Sequence, residues 1–170
     1  MAISEMLLTE FDHEVKTTRR TLERMPEHKA DWKPHAKSMP LGRLAGHLAE
    51  LVGFAATVVQ TDSLDLGKPD PNRKPLVVET RKQVLEALDG KVAEARSAIA
   101  GASDERWRGN WKLTAGEQKF YDGSRIGALR LMMMNHLIHH RAQLGVYYRL
   151  NDVPLPSTYG PSADEGPMPS

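Results

Sequence analysis

The chain has 170 residues, long enough to bury a real core, and 40% of them are hydrophobic. Lys plus Arg is 23 and Asp plus Glu is 22, a formal net charge of +1, which excludes a general basic field for nucleic acid and an acidic tail. Cysteine is absent, so disulfides and thiolate metal sites are excluded, and a reducing compartment is the natural fit.

The first predicted helix spans about residues 3–24. Phe11, Val15, Thr18 and Leu22 repeat at helical spacing, and Pro26 marks the end. The opening "MAISEMLLTEFDHEV" is broken by Glu5, Glu10 and Asp12, so it reads as part of that helix and not as a secretory leader. Residues 26–40, "PEHKADWKPHAKSMP", form a polar, proline-punctuated connection. No stretch approaches the ~20 apolar residues of a membrane span, and the reading is a cytoplasmic protein with no nucleic-acid or membrane partner.

A second helix starts after Pro40, a natural first-turn residue. Leu44, Leu51, Phe54, Ala55 and Val58 share one face, His47 sits in the middle of that face, and Glu50 lies near its edge. The run "TDSLDLGKPDPNRKP", quoted from Thr61 on, reads as a long crossover loop over 62–75. The third helix follows at about 77–100, with Leu85, Leu88, Val92, Ala95 and Ile99 on one stripe and Gly101 as its stop. Ser103 can cap a short turn through Arg106, and "NWKLTAGEQKFYDG" can form a small hairpin bending near Ala115–Gly116. The fourth helix begins after Ser124, a good N-cap, and runs to about Leu150.

Measured from His136 at about 100° per residue, Leu129, Met132, Met133, His140, Gln143, Tyr147 and Leu150 fall on one side of that helix. Arg130, Arg141 and Arg149 point away, so His136 and His140 belong to the buried stripe and His139 to its edge. The tail from Asn151 carries Pro154, Pro156, Pro161 and Pro167 and should be extended. These elements predict an all-α, single-domain four-helix bundle over 1–170, with a long crossover between helices 2 and 3 and an extended tail at 151–170.

The chemistry concentrates in "NHLIHHRAQL", residues 135–144. His136 and His140 are one turn apart and project the same way, so they can share a divalent ion. His47, on the core stripe of another helix, is the candidate third ligand. Three neutral imidazoles suit zinc, nickel, copper or iron and leave a coordination position open. Against this stands the plainer reading, in which core histidines merely satisfy hydrogen bonds or face a wet groove. The pair lacks the glutamate of an HExxH protease, since Leu137 stands there.

His13, His28 and His35 read as exposed. His139 can reach only an outer position, because adjacent side chains diverge by about 100°. Glu50, three residues after His47, is able to orient a ring or act as a base, but such a residue is more often a surface carboxylate, and that reading is favoured. Gln143 lies one turn past His140, within reach of a ligand. Tyr147 and Met132–Met134 read as core. Arg43 and Arg141 read as solvated, each able at most to bind an acidic substrate.

"LGRLAGHLAEL" followed by "NHLIHHRAQLGVYYRL" resembles the DinB/YfiT-like family, which is distinct from the DNA polymerase that shares the name. "FDHEVKTTRRTLERMPEHKADWKPHAKSM" and "VPLPSTYGPSADE" are similar to the opening and ending of one branch, so the resemblance covers nearly the whole chain. Ala142 stands where relatives often have glycine, at a position facing away from the histidines. The resemblance implies a metal on His47, His136 and His140, zinc or nickel first among candidates, and a homodimer. It also implies a small-molecule substrate and chemistry with a low-molecular-weight thiol, such as S-transfer. A metal-activated hydrolase and a non-catalytic metal-binding stress-response bundle are the alternatives.

Overall fold

The computed structural model describes residues 2–68 and 74–166. Part of the expected crossover, 69–73, and the end of the expected tail, 167–170, lie outside the described residues. Three long helices are α1 (Ile3–Leu22), α2 (Leu41–Gln60) and α3 (Arg81–Gly101). A short helix α4 (Asp104–Arg108) leads into the strands β2 (Asn110–Ala115) and β3 (Gln118–Ser124). The fourth long helix is made of α5 (Arg125–Ala128), a π-helical turn at Leu129–Met134, and α6 (Asn135–Arg149). Among the described residues no helix is long and apolar enough to cross a membrane.

The all-α expectation is overturned by a three-stranded mixed sheet. A strand β1 (Ser63–Asp65) leaves the end of α2 and pairs in parallel with β2, Leu64 opposite Leu113. β2 pairs antiparallel with β3, Trp111 opposite Gly123, and Gly116 turns the hairpin at φ 59°. The hairpin is visible in the sequence. β1 is not, because three residues are too few to show an alternation and their partner lies far along the chain.

α2 is the central element. Leu41, Leu44, Ala45, Leu48, Ala49, Val52, Ala55 and Val58 are all buried. Apolar residues on nearly every face are what a helix needs when α1, α3 and α6 all pack around it. Its C-terminal carbonyls are held by two arginines: Arg106 Nε donates to the Val59 carbonyl at 2.8 Å, and Arg125 Nη2 to the Thr61 carbonyl at 2.8 Å. Both guanidiniums also grip Asp62, so the start of β1 is clamped to α4 and α5. The other end of the crossover passes over α2 at two glycines. A Cβ on Gly42 would sit 2.1 Å from the Val78 carbonyl oxygen, and one on Gly46 would sit 2.3 Å from that of Leu76. Only glycine admits backbone that close, a signal present in the sequence as glycines four apart.

The fourth helix corrects the phase expected from His136. The buried stripe of α6 runs through Leu137, Leu144 and Tyr148, with His136 near its edge and Leu150 59% exposed. Carried upstream as an α-helix, that stripe would bury Arg130. The π turn inserts one extra residue, so Leu129 takes the buried place and Arg130 swings out to pair with Glu10. Taking His136 as the centre of the stripe also misplaces Arg141, which is 4% exposed and ion-paired with the equally buried Glu14 at 2.8 Å.

The tail is extended, as its prolines predict, and it is docked. Glu165 receives Arg20 Nη2 at 2.7 Å, the Arg24 guanidinium and the Ser157 N–H at 2.9 Å, while Asp164 receives Arg149 Nη2 at 2.5 Å. Tyr159 is anchored in turn. Its hydroxyl accepts from Arg141 Nη2 at 2.6 Å and donates to the Glu14 carboxylate at 2.8 Å.

Candidate metal centre

The packing of α2 on α6 brings His47, His136 and His140 together. Their ring centroids lie 4.7–5.4 Å apart, and one nitrogen from each falls within 4.8 Å of the others. The closest pair is Nε2 of His136 and Nε2 of His140, at 2.9 Å.

Outer partners select which nitrogen faces inward. Glu50 Oε2 lies 3.2 Å from His47 Nδ1. An ionised carboxylate only accepts, so Nδ1 carries the hydrogen and Nε2 keeps its lone pair. Gln143 Oε1 lies 2.7 Å from His140 Nδ1 and does the same there. Three imidazoles that each turn a nitrogen to one point, two of them with the other nitrogen held by an outer acceptor, are a donor set that fits a divalent ion with nitrogen preference.

The electrostatics agree with neutral rings. Burial, reinforced by the nearby His47, pushes His136 below the ordinary histidine value. Burial holds His140 down to about 4, against the opposing effect of its hydrogen bond to Gln143. Burial alone would raise the Glu50 carboxyl, but hydrogen bonds from His47 and the Leu76 N–H, with the Arg43 charge, outweigh it and hold Glu50 at about 2.

Glu50 is therefore no surface carboxylate, and the favoured reading of the sequence fails here. Its Oε1 accepts from the Leu76 N–H at 2.6 Å and its Oε2 from Arg43 Nη2 at 2.8 Å. Arg43 also donates to the Leu76 carbonyl at 3.1 Å, so it ties the crossover to α2 and is not a solvated group. The missed signal is spacing, since Arg43, His47 and Glu50 step by four and three along one helical face. Gln143 is where the sequence places it. His139 is exposed and its ring packs 5.0 Å from that of His140, outside the cluster. His13, His28 and His35 are exposed and distant from the group. Tyr147 is core, packed edge-on against Trp32 with centroids 5.6 Å apart. Met133 and Met134 are buried too, while Met132 is half-buried.

Replacing Glu50 by Ala removes the group that orients His47 and leaves the Leu76 N–H and Arg43 without their acceptor. The expected result is a 10–100-fold loss of metal affinity with the helices intact, read by competition with a chromogenic chelator. Unchanged affinity would show that His47 needs no orienting partner.

Comparison with known proteins places this geometry in context. The sequence pattern of the DinB superfamily matches residues 10–144. The Bacillus subtilis (strain 168) protein named "Uncharacterized protein YrdA" is 22% identical over 160 residues, covering 93% of this chain and 89% of that one. The crystal structure of a DinB-like protein from Bacillus cereus ATCC 10987 superposes with a TM-score of 0.70 at 17% identity, over 93% of this chain and 98% of that one. That of the DinB-like protein YjoA from Bacillus subtilis does so with 0.67 at 17% identity, over 90% and 97%. At these identities the solved structures speak to the fold.

Proposed function

The chain belongs to the DinB superfamily, and from that membership and its three converging imidazoles we propose that it is a metal-dependent enzyme acting on a small molecule. His47, His136 and His140 would hold the ion, zinc or nickel, through their inward nitrogens. The observation that carries the reading is the pair of outer partners, because a chance cluster of core histidines has no reason to have two of its rings individually oriented. Bound there, the ion would supply Lewis acidity to a thiol or water nucleophile.

The residues of the chain prepare that chemistry. Glu50 and Gln143 hold two rings in the tautomer that leaves a lone pair free. A cavity of about 560 Å³ is lined by both His47 and His136, so the site is reachable by a ligand. A reachable three-nitrogen site keeps a coordination position for substrate, whereas structural zinc sites fill all four. S-transfer with a low-molecular-weight thiol is the favoured reaction and metal-activated hydrolysis the second. We also read the chain as a homodimer in the cytoplasm, with exposed apolar residues such as Val146 and Leu150 available for the contact.

The test is metal analysis of protein purified without a polyhistidine tag, followed by thiol-conjugation and ester-hydrolysis assays on metal-loaded and chelated protein. One equivalent of zinc or nickel with metal-dependent thiol conjugation is the expected result. Metal-dependent hydrolysis alone would transfer the reading to the second reaction. A tightly held ion with neither activity would favour the non-catalytic bundle.

A further inference from the structure

The sheet that the sequence hides forms one wall of the cavity beside the histidines. Leu64 and Leu66 come from β1 and the residue after it, Leu113 from β2, Leu51 and Phe54 from α2, and Met132 from the π turn. Leu66 is 51% exposed, and Leu64, Phe54 and Met132, which pack against the core, are only partly buried. Hydrocarbon left open in a concave surface beside a reactive centre is the usual composition of a ligand pocket.

The two carboxylates of the lining, Glu50 and Asp65, are already committed. Both oxygens of Glu50 are taken by Leu76, Arg43 and His47. Asp65 Oδ1 accepts from the Gly67 and Gly116 N–H groups at 2.9 Å each, locking β1 to the hairpin turn. These carboxylates build the pocket walls and have little left to offer a ligand. Away from the histidines, the cavity offers mainly hydrocarbon, with the Lys68 side chain as the remaining polar group of its lining.

We propose that the wall formed by β1 and β2 makes this a site for ligands with an apolar portion. An alkyl or aryl group would lie against Leu64, Leu66, Leu113 and Phe54, and the polar, reactive end would face His47 and His136. This deepens the metal-enzyme reading and rests on it. The sheet thereby sets specificity, while the helices carry the histidines that would hold the ion.

The experiment uses cobalt-loaded full-length protein titrated with n-alkanethiols from ethanethiol to hexanethiol, followed by the thiolate-to-cobalt absorption. Affinity should rise about three- to fourfold per added methylene until the cavity is filled. Leu64→Ser and Leu66→Ser, both at partly exposed positions that the fold tolerates, should flatten that rise. Ethanethiol binding with no gain along the series would overturn the pocket while leaving the metal site standing. A full gain in both serine variants would show that β1 is not the wall. Failure of the protein to take up cobalt would overturn the pocket and the metal reading together.

Discussion

His140→Ala is expected to abolish tight metal binding, while His139→Ala leaves it nearly unchanged. His140 is 9% exposed, its Nε2 is 2.9 Å from that of His136, and its other nitrogen is held by Gln143. Its loss would leave two imidazoles, and the effect should exceed the 10–100-fold cost of losing an outer partner. His139 leaves the helix about 100° away and makes no bond into the cluster. The helices should persist in both variants, because the core around the site is apolar. Metal content and thermal unfolding of the two proteins decide the matter. Full metal in His140→Ala, or loss in His139→Ala, would defeat the assignment, and outright unfolding on metal removal would mark the site as structural.

The pH dependence follows from the same ring. Burial holds His140 at about 4, below its ordinary value of 6.5. As pH falls, the unfolded chain takes up this proton first, so the metal-free protein should be at full stability above about 6.5 and lose stability from there down to about 4. Proton competition with the ion at His140 should likewise set in near 4, well below the point at which an exposed imidazole would protonate.

Arg141→Ala should be among the most destabilising single changes outside the centre. Arg141 and Glu14 are both about 4% exposed. Arg141 also donates to the Glu14 carbonyl at 3.2 Å and to Thr18 Oγ1 at 3.1 Å, and it holds Tyr159 of the tail. Removing the guanidinium leaves a buried carboxylate unpaired, a loss of about 3–5 kcal/mol. For a chain of this size the midpoint should fall by roughly 10 °C. Replacing both charges, Glu14→Leu with Arg141→Met, should recover much of the loss, because a well-packed apolar pair suffers no such penalty. Calorimetry of the single and double variants is the check. A cost below about 1 kcal/mol for Arg141→Ala would mean that water reaches Glu14.

What the sequence determined by itself is what local repetition encodes. Helical spacing marks α1 to α3 and the fourth long helix, and capping serines mark the starts of α4 and of that fourth helix: Ser103 accepts from the Arg106 N–H at 3.1 Å and Ser124 from the Gly127 N–H at 3.2 Å. The same spacing singles out His47, His136 and His140, because a histidine on an apolar stripe stands out against its neighbours. Everything that required two distant segments to meet was decided by the tertiary structure. β1 exists only because β2 lies beside it, so three residues read as loop became a strand and the protein ceased to be all-α. Glu50 was misread because its acceptor role depends on the Leu76 N–H, brought over α2 by the close passage at Gly42 and Gly46. Arg141 was misjudged because the buried stripe runs through Leu137 and Leu144 and is not centred on His136, which only the packing of α1 against that face reveals. Periodicity reports which way a side chain points within its own helix. What it meets there depends on the packing of elements far apart in the chain, and in this protein that packing orients the histidines and builds the cavity beside them.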